Sequence, residues 1–299
     1  MKDLKGQRLL FGLLSVVGMV ALYALVSNAY RLLDPSALPR PLARALQPDV
    51  LPPIQRVVDA FFELVSAPLP PMSDGHMHAD HADGLGGQTL TLQSSLFVST
   101  YRVMFGLCIG APLGILTGLA MGWSRKVDDY LHPIYVLLRS IPPLALITYV
   151  MLWVGHGETR LLIPIVYAVF TTLVIPTYHG VRDIPDIYLK AAESLGAGGR
   201  LLFSKVVLPA AAPSVLSGLR YALVIAWMTT VGVEMLAGEN GIGFLLAGGG
   251  LWSSRLTIRV DPAVVMVGIG GLALVGYAMD TAARLIDHRV TRWMRGRSR

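Results

Sequence analysis

Long apolar runs with few charges constrain this sequence more than any other feature. The runs cover residues 9–30, 103–124, 134–154, 161–181, 214–236 and 262–280, and none of them contains more than two charged residues. A helix needs about 20 mostly apolar residues to cross the hydrocarbon core of a bilayer. The sequence therefore predicts an all-α membrane protein with about six transmembrane helices.

The composition agrees with a membrane protein. Hydrophobic residues make up 54% of the chain and charged residues 15%, with a mean hydropathy of +0.58, whereas soluble domains carry about 25% charged residues. The net charge of +6 does not indicate a nucleic-acid partner, because the basic residues fall between the apolar runs and form no continuous stripe. Lipid headgroups explain them instead. The single cysteine, Cys108, excludes an intrachain disulfide, and we expect an inert thiol packed inside its span.

The first apolar run has two interpretations. Lys2, Lys5 and Arg8 precede it, as they would in a secretory signal peptide. The run is longer than the apolar core of a signal peptide, however, and no small-residue cleavage site follows it before the prolines. We therefore interpret residues 1–30 as an N-terminal transmembrane helix.

The distribution of basic residues predicts the orientation in the membrane. With the N-terminus inside, 15 of the 25 lysines and arginines fall on the cytoplasmic side and seven on the outer side. Cytoplasmic flanks of membrane spans are enriched in these residues. We therefore expect both termini in the cytoplasm.

The outer segment, residues 31–95, is the least apolar part of the chain. It contains the stretch IQRVVDAFFELV, whose apolar residues recur with the period of an amphipathic helix. A loop with His76, His78 and His81 follows, and these are residue types that bind zinc. No rigid element fixes their geometry, so we interpret the loop as flexible and solvated and expect no metal site.

A polar segment, residues 182–212, separates the fourth run from the fifth on the cytoplasmic side. Pro185 and Asp186 suit the start of a helix, and Gly196 suits its end. The stretch GRLLFSKVVLPAAAP then predicts a second helix, which we expect to close at Pro209 and Pro213 before the membrane is re-entered. The 31 residues of this segment are far more than a connection between two helices needs, at about 2 to 8, so we expect the segment to present something to a partner.

Residues 190–209, KAAESLGAGGRLLFSKVVLP, resemble the EAA loop of ABC importer permeases. The matching positions are Ala191, Ala192, Gly196, Val206, Leu208 and Pro209. Lys190 stands where the family usually has glutamate, and Glu193 lies one turn away. The stretches SIPPLALITYVMLWVGHGE and VEMLAGENGIGFLL are also similar to the nitrate, taurine and alkanesulfonate branch of that family.

The resemblance implies a type I ABC importer permease fold in the inner membrane of a bacterium. Residues 96–285 would form the permease core and residues 286–299 a basic cytoplasmic tail. The resemblance also implies a homodimer, two ATP-binding subunits that hold ATP and magnesium, and a periplasmic binding protein that delivers taurine, another sulfonate, nitrate or a related anion. The chain itself has no phosphate loop of the form GxxxxGK[ST], so we expect no cofactor in it.

In permeases of this family the helix before the EAA glycine is a coupling helix that docks on the ATP-binding subunit. The residues that the resemblance assigns to coupling are Lys190, Ala191, Ala192, Glu193, Gly196, Leu208 and Pro209. We expect the small alanines to allow close approach to the partner. Gly196 should allow a sharp reversal where a side chain would collide, although it is also explained as a simple helix stop.

Six residues are candidates for the translocation path: Ser140, Pro142, Trp153, Trp227, Met228 and Glu234. Glu234 is an acid inside an apolar run, and an ionisable group inside a membrane is costly. It either functions in a pathway or gate or is hydrogen-bonded at a helix interface. Pro142 and Pro143 should kink or break their span. The tryptophans are equally typical of a membrane interface.

Glycines recur at every fourth residue from Gly106 to Gly118, which puts small residues on one face and favours close helix packing. Two other functions stay open at this point. One is a proton-coupled secondary transporter, and the other is a metal-dependent membrane enzyme that uses the loop histidines and aspartates.

Overall fold

The computed structural model describes residues 14, 18–19, 21–27, 51–66, 91–155, 157–247 and 261–290. Every regular element within these ranges is helical. The helices are α1 (Ile54–Ser66), α2 (Leu92–Trp123), α3 (Arg125–Arg139), α4 (Leu146–Val154), α5 (Glu158–Arg182), α6 (Asp186–Ser194), α7 (Gly199–Ala237), α8 (Ile242–Leu246) and α9 (Pro262–Val290).

Four of the described helices, α2, α5, α7 and α9, are long and apolar enough to cross a membrane. The bent pair of α3 and α4 adds a fifth crossing if the two are counted as one span. The sixth expected span falls within residues 1–30, most of which lie outside the described residues, as do His76, His78 and His81. The domain limits at residues 30, 95 and 285 stay predictions.

Helix α2 begins at Leu92, 11 residues before the expected start of its span at residue 103. Its cap explains the difference, because the Thr91 hydroxyl oxygen accepts a hydrogen bond from the Ser94 N–H at 3.1 Å. A threonine at this position satisfies a backbone donor that has no partner inside the helix. The extension carries Ser99 and Arg102 into the body of the fold.

The span predicted for residues 134–154 is broken, as the two prolines predicted. Helices α3 and α4 meet at an angle of 71°, and between them lie Pro142 and a 3₁₀ turn at Pro143–Ala145. Proline lacks the N–H that would continue the helical ladder, and its ring clashes with the preceding turn. The break places Ser140 and Pro142 at an exposed corner.

The expectation that Pro209 and Pro213 close a separate helix is wrong. Helix α7 is continuous from Gly199 to Ala237, over 39 residues, and both prolines lie within it. A π turn at Phe203–Val207 precedes them, in which the Leu208 N–H bonds to the Phe203 carbonyl. Local widening of this kind accommodates prolines in membrane helices.

The predicted glycine face of α2 packs directly on α5. A Cβ atom added at Gly110 would lie 2.6 Å from the Val166 carbonyl oxygen, and one added at Gly118 would lie 2.6 Å from the Val174 carbonyl oxygen. Gly122 continues the series by one turn, since a Cβ atom added there would lie 2.7 Å from the Val181 Cβ and 3.1 Å from the Tyr178 carbonyl oxygen. The structural interpretation of the repeat is therefore confirmed. We call Gly106, Gly110, Gly114, Gly118 and Gly122 the glycine face.

Cys108 lies on α2 between two glycines of this face but is exposed. The expectation that its thiol packs inside the fold is therefore wrong. The side chain turns away from α5, because a residue two positions from a glycine lies on the opposite side of a helix.

Substitution of Gly110 by alanine should destabilise the protein, because the new methyl group would meet the α5 backbone. Overpacking of this kind costs about 1 to 3 kcal/mol. The measurement is the midpoint of thermal unfolding in detergent, followed by size-exclusion chromatography. The same change at Gly270 on α9, where no atom lies within 4 Å of an added Cβ, should leave the midpoint unchanged or slightly raised. Equal midpoints for the two variants would contradict the close packing.

Candidate functional site

The first candidate site is the polar segment between α5 and α7, residues 183–198. Helix α6 has no buried residue, and Lys190, Ala191 and Glu193 are exposed while Ala192 is half-buried. Two apolar side chains, Ile187 and Tyr188, are also exposed on this helix, with Ile187 at 72%. A helix that leaves apolar side chains without partners in its own chain presents them to another molecule.

Helix α6 ends in a Schellman motif at Gly196. The Gly196 N–H bonds to the Glu193 carbonyl at 2.9 Å, and the Ala197 N–H bonds to the Ala192 carbonyl at 3.0 Å. Gly196 has a φ of +85°, a conformation that costs glycine little. The turn leaves Leu195 at 89% exposure.

The physical reason expected for Gly196 is wrong in one respect. A Cβ atom added there would have no heavy atom within 4 Å, so a side chain would not collide with anything in the chain. The requirement is for the positive φ, which other residues adopt only with strain.

The last two residues of the EAA stretch lie on α7 and not in the loop. Leu208 is exposed and Pro209 is half-buried, directly after the π turn. Val207 is buried beside them in a cluster with Leu119, Val181 and Ala211. The stretch therefore has an exposed half on α6 and a half fixed to the membrane core.

The six path candidates divide into two groups. Ser140, Pro142, Trp153 and Met228 are exposed on the surface of the chain, with Met228 at 66%. Trp227 and Glu234 are buried, at 8% and 0% exposure, inside the core of this chain. Only the first group reaches a surface that could face a path between two subunits.

The broken span rests against α7 near these residues. A Cβ atom added at Gly232 would lie 2.5 Å from a methyl carbon of Leu144, which belongs to the 3₁₀ turn after the break. Because Gly232 has no side chain, α7 and the 3₁₀ turn can approach each other this closely.

The second candidate site is a polar cluster with a buried centre at the C-terminal end of α7, which we call the outer cluster after the side of the membrane that the sequence predicts for it. It consists of Ser99, Arg102, Glu158, Glu234 and Asn240. The Arg102 side chain is 1% exposed and the Glu234 side chain 0% exposed, and their closest charged atoms are 2.8 Å apart. Charges buried in a membrane protein are costly unless they are paired in this way.

Every N–H of the Arg102 guanidinium has a partner. Nε donates to Glu158 Oε2 at 2.9 Å and Nη1 donates to Glu234 Oε1 at 2.8 Å. Nη1 also donates to the Asn240 carbonyl at 3.1 Å, and Nη2 donates to Glu158 Oε1 and to the Asn240 side-chain oxygen. The planar fork of an arginine holds several acceptors in fixed directions. Arg102 therefore joins α2, the start of α5 and the turn after α7.

Glu234 organises the turn that follows it. Its carboxylate accepts hydrogen bonds from the Ser99 hydroxyl at 2.8 Å and from the Gly243 N–H at 2.9 Å. The Ser99 oxygen in turn accepts the Ile242 N–H at 2.8 Å. A Cβ atom added at Gly241, whose φ is +100°, would lie 2.5 Å from the same carboxylate. The turn can close around Glu234 only because a glycine stands there.

A second buried arginine supports the same turn. Arg160 Nη2 donates to the Ala237 carbonyl at 2.9 Å and to Glu239 Oε1 at 2.6 Å. Its side chain is 5% exposed. The segment from Ala237 to Gly243 is thus held from two sides.

An exposed ion pair at the start of α9 provides a contrast. Arg56 Nη2 lies 3.0 Å from Asp261 Oδ2, with both side chains partly exposed. Partial burial raises the pKa of the Asp261 carboxyl. The hydrogen bond from the Ala263 N–H and the charge of Arg56 outweigh this effect, so the pKa lies below its ordinary value.

The sequence indicates Glu234 as a candidate but not its partners. Arg102 directly precedes the apolar run at residues 103–124, and Ser99 and Asn240 carry no recognisable motif. An arginine and a glutamate that each stand in mostly apolar helices are expected to pair. That signal was available in the sequence.

The fold and these two sites define a multi-pass membrane transport subunit. Residues 110–292 match the family described as the binding-protein-dependent transport system inner membrane component. The chain belongs to this family, and it is the permease subunit of an ABC importer of the nitrate, taurine and sulfonate branch. Its relatives are transport subunits and not enzymes. Permeases of this kind work in a membrane with ATP-binding subunits and a substrate-binding protein.

Several relatives support this assignment. The chain is 32% identical to the taurine transport system permease protein TauC of Escherichia coli (strain K12), over 83% of this chain and 82% of TauC. It is 31% identical to the aliphatic sulfonates transport permease protein SsuC of Bacillus subtilis (strain 168), over 68% of this chain and 73% of SsuC. It is 32% identical to the nitrate import permease protein NrtB of Synechocystis sp. (strain ATCC 27184 / PCC 6803 / Kazusa), over 63% of this chain and 68% of NrtB.

The fold is similar to that of a solved ABC importer. An inward-facing structure of the MetNI methionine ABC transporter matches with a TM-score of 0.52 and 20% identity, over 67% of this chain and 94% of the solved chain. The expected type I importer permease fold is thereby confirmed.

Replacement of Glu234 by glutamine should lower the stability of the protein, because the Gly243 N–H and Arg102 lose a charged acceptor in a buried site. Leaving such groups poorly satisfied costs about 1 to 3 kcal/mol. The measurement is thermal unfolding in detergent. The matched change Asp261→Asn in the exposed pair should shift the midpoint much less, and an equal shift would argue against the buried network.

Proposed function

We propose that this permease imports a small oxyanion, such as taurine, another sulfonate or nitrate, with energy from two ATP-binding subunits that dock on α6. The observation that carries the proposal is the exposed α6 helix, with its unpartnered apolar side chains and its glycine end. Both features suit a helix that enters a groove on another protein. The basic residues around this segment support a cytoplasmic location for it.

The chemistry of α6 fits insertion into a partner. Ala191 and Ala192 are small, so the helix axis can approach another surface closely, while Ile187 and Tyr188 supply apolar contact area. Leu195 projects from the Schellman turn and extends this area past the helix end. This surface of α6 and its turn would be buried when the subunits assemble.

The second half of the EAA stretch carries motion into the membrane. Val207 packs on α2 and α5 and lies within α7, which continues without a break to Ala237. A displacement of α6 by the ATP-binding subunits would therefore move a rigid helix. Rigid-body movements of this kind open and close paths in transport proteins.

Two copies of the chain would enclose the path. One face of α7 carries Tyr221, Val224 and Met228, spaced as neighbours on a helix and all exposed. The exposed corner at Ser140 and Pro142 lies on the span that rests against the same helix. A homodimer that brings these surfaces together would form a path lined by both subunits. ATP and magnesium would bind only in the ATP-binding subunits, since this chain has no phosphate loop.

The names of the relatives support the proposed substrate class. TauC, SsuC and NrtB are named for taurine, aliphatic sulfonates and nitrate. These compounds share a compact group of oxygen atoms that carries negative charge. We assign the same class here, with the choice among its members made largely by the binding protein.

Substitution of Gly196 by valine should impair coupling, because a β-branched residue does not adopt a φ of +85° without strain of about 1 to 3 kcal/mol. We expect the ATP hydrolysis that the binding protein stimulates to fall about tenfold or more. The measurement is phosphate release by the purified complex in lipid nanodiscs.

The matched control for this variant is Gly199→Val. Gly199 also has no atom within 4 Å of an added Cβ, but its φ is not positive. This variant should retain most of the stimulated hydrolysis. Full activity of Gly196→Val would show that the glycine is only a helix end and would argue against docking at this turn.

The substrate assignment is tested with the substrate-binding protein that works with this permease. Isothermal titration with taurine, an alkanesulfonate, nitrate and an uncharged sugar should give binding heat with one or more of the compounds that carry an oxyanion group. The same ligand should stimulate ATP hydrolysis by the complex. Tight binding of the uncharged compound alone would contradict the oxyanion class.

A further inference from the structure

Helix α7 connects the two candidate sites. It contains 39 residues without a break, and at about 1.5 Å per residue it is about 58 Å long. Its inner end follows the coupling turn at Gly196, and its outer end is Glu234 and Ala237 in the outer cluster. Any movement imposed on the inner end depends on how the outer end is held.

The outer end is held firmly and in a fixed direction. Arg102 uses every N–H of its guanidinium, and the Glu234 carboxylate accepts bonds from α2 and from the start of α8. Both side chains are fully buried, so water does not compete for these bonds. The contacts fix the distance of α7 from α2 and also its rotation about its own axis.

The held part of α7 lies beside the proposed path. Gly232, two residues before Glu234, is the point where α7 meets Leu144 of the broken span. Met228, one turn further in, is exposed. A tilt of α7 about Glu234 would therefore change the space around Met228 and the corner at Ser140.

Stability alone does not require an ion pair here. A buried pair is often no more stabilising than two apolar residues of similar size, although removal of only one partner is costly. What the pair supplies and apolar contacts do not is a set of directed bonds between α2, α5 and the turn after α7.

We propose that Arg102 and Glu234 are positioning residues for transport. Their ion pair is the outer pivot of α7, about which displacement of α6 changes the path beside Ser140 and Met228. The inference rests on the proposed docking of the ATP-binding subunits at α6. Glu158 completes the pivot from the side of α5, and with a side chain 52% exposed it can separate from Arg102 and be hydrated.

The test uses the assembled complex of the permease with its ATP-binding subunits in nanodiscs. The permease carries Cys108→Ser and Ser140→Cys, so that a thiol-reactive biotin reagent reports the accessibility of position 140. Labelling rates are compared in the nucleotide-free state and after trapping with ATP and vanadate. With the pivot intact we expect the two rates to differ about fivefold or more, since a rigid movement changes the exposure of the corner.

The decisive variant is Arg102→Met with Glu234→Met, which removes both charges and leaves none unpaired between them. We expect the complex to assemble and to hydrolyse ATP within about twofold of the parent, while the two labelling rates differ by less than about twofold. Arg102→Lys, which keeps the charge but has three N–H groups instead of a planar fork, should give an intermediate difference. Arg56→Met with Asp261→Asn is the matched control and should behave as the parent.

The outcomes separate the inference from the proposed function. A full difference in labelling in the double variant would overturn the pivot while leaving docking at α6 intact. Failure of both the double variant and Arg102→Lys to assemble would show that the cluster only holds the fold, which also overturns it. If the parent shows no difference between the two states, the proposed path itself is wrong.

Discussion

The close approach of α2 and α5 is the contact on which the rest of the structure depends. Apolar side chains gain little by leaving lipid for one another, so membrane helices associate mainly through tight packing and interhelical hydrogen bonds. The glycine face lets the two backbones meet over five turns of α2. This pair forms the support for α7, which packs against α5 through another close contact between Gly218 and Pro176. The two candidate sites lie at opposite ends of this support.

The two ends differ in what they present to their surroundings. The inner end exposes alanines and apolar side chains that have no partner in the described chain, whereas the outer end buries charges and satisfies almost all of their hydrogen bonds. These properties suit the proposed function, in which the inner end joins a separate ATP-binding subunit and the outer end stays in place while the first one moves.

Sequence reasoning predicted the class of fold, the family, the broken span and the packing of the glycine face, because each depends on local composition or on a short repeat. It failed where the outcome depends on residues distant in the chain. Arg102 and Glu234 are 132 positions apart, and the turn around Glu234 depends on Ser99 from another helix. The continuity of α7 through Pro209 and Pro213 was missed because the π turn that accommodates them has no simple signature. The sequence alone leaves two roles open for Glu234, one in a pathway or gate and one as a hydrogen-bonded residue at a helix interface.

The π turn at Phe203–Val207 adds one residue to α7 compared with a regular helix. One residue of an α-helix corresponds to about 100° of rotation, so this insertion sets the direction in which the residues before Phe203 face relative to the rest of α7. The orientation of α6 against the membrane helices therefore depends on that extra residue. A related chain without the π turn would need a compensating change elsewhere to keep the same orientation.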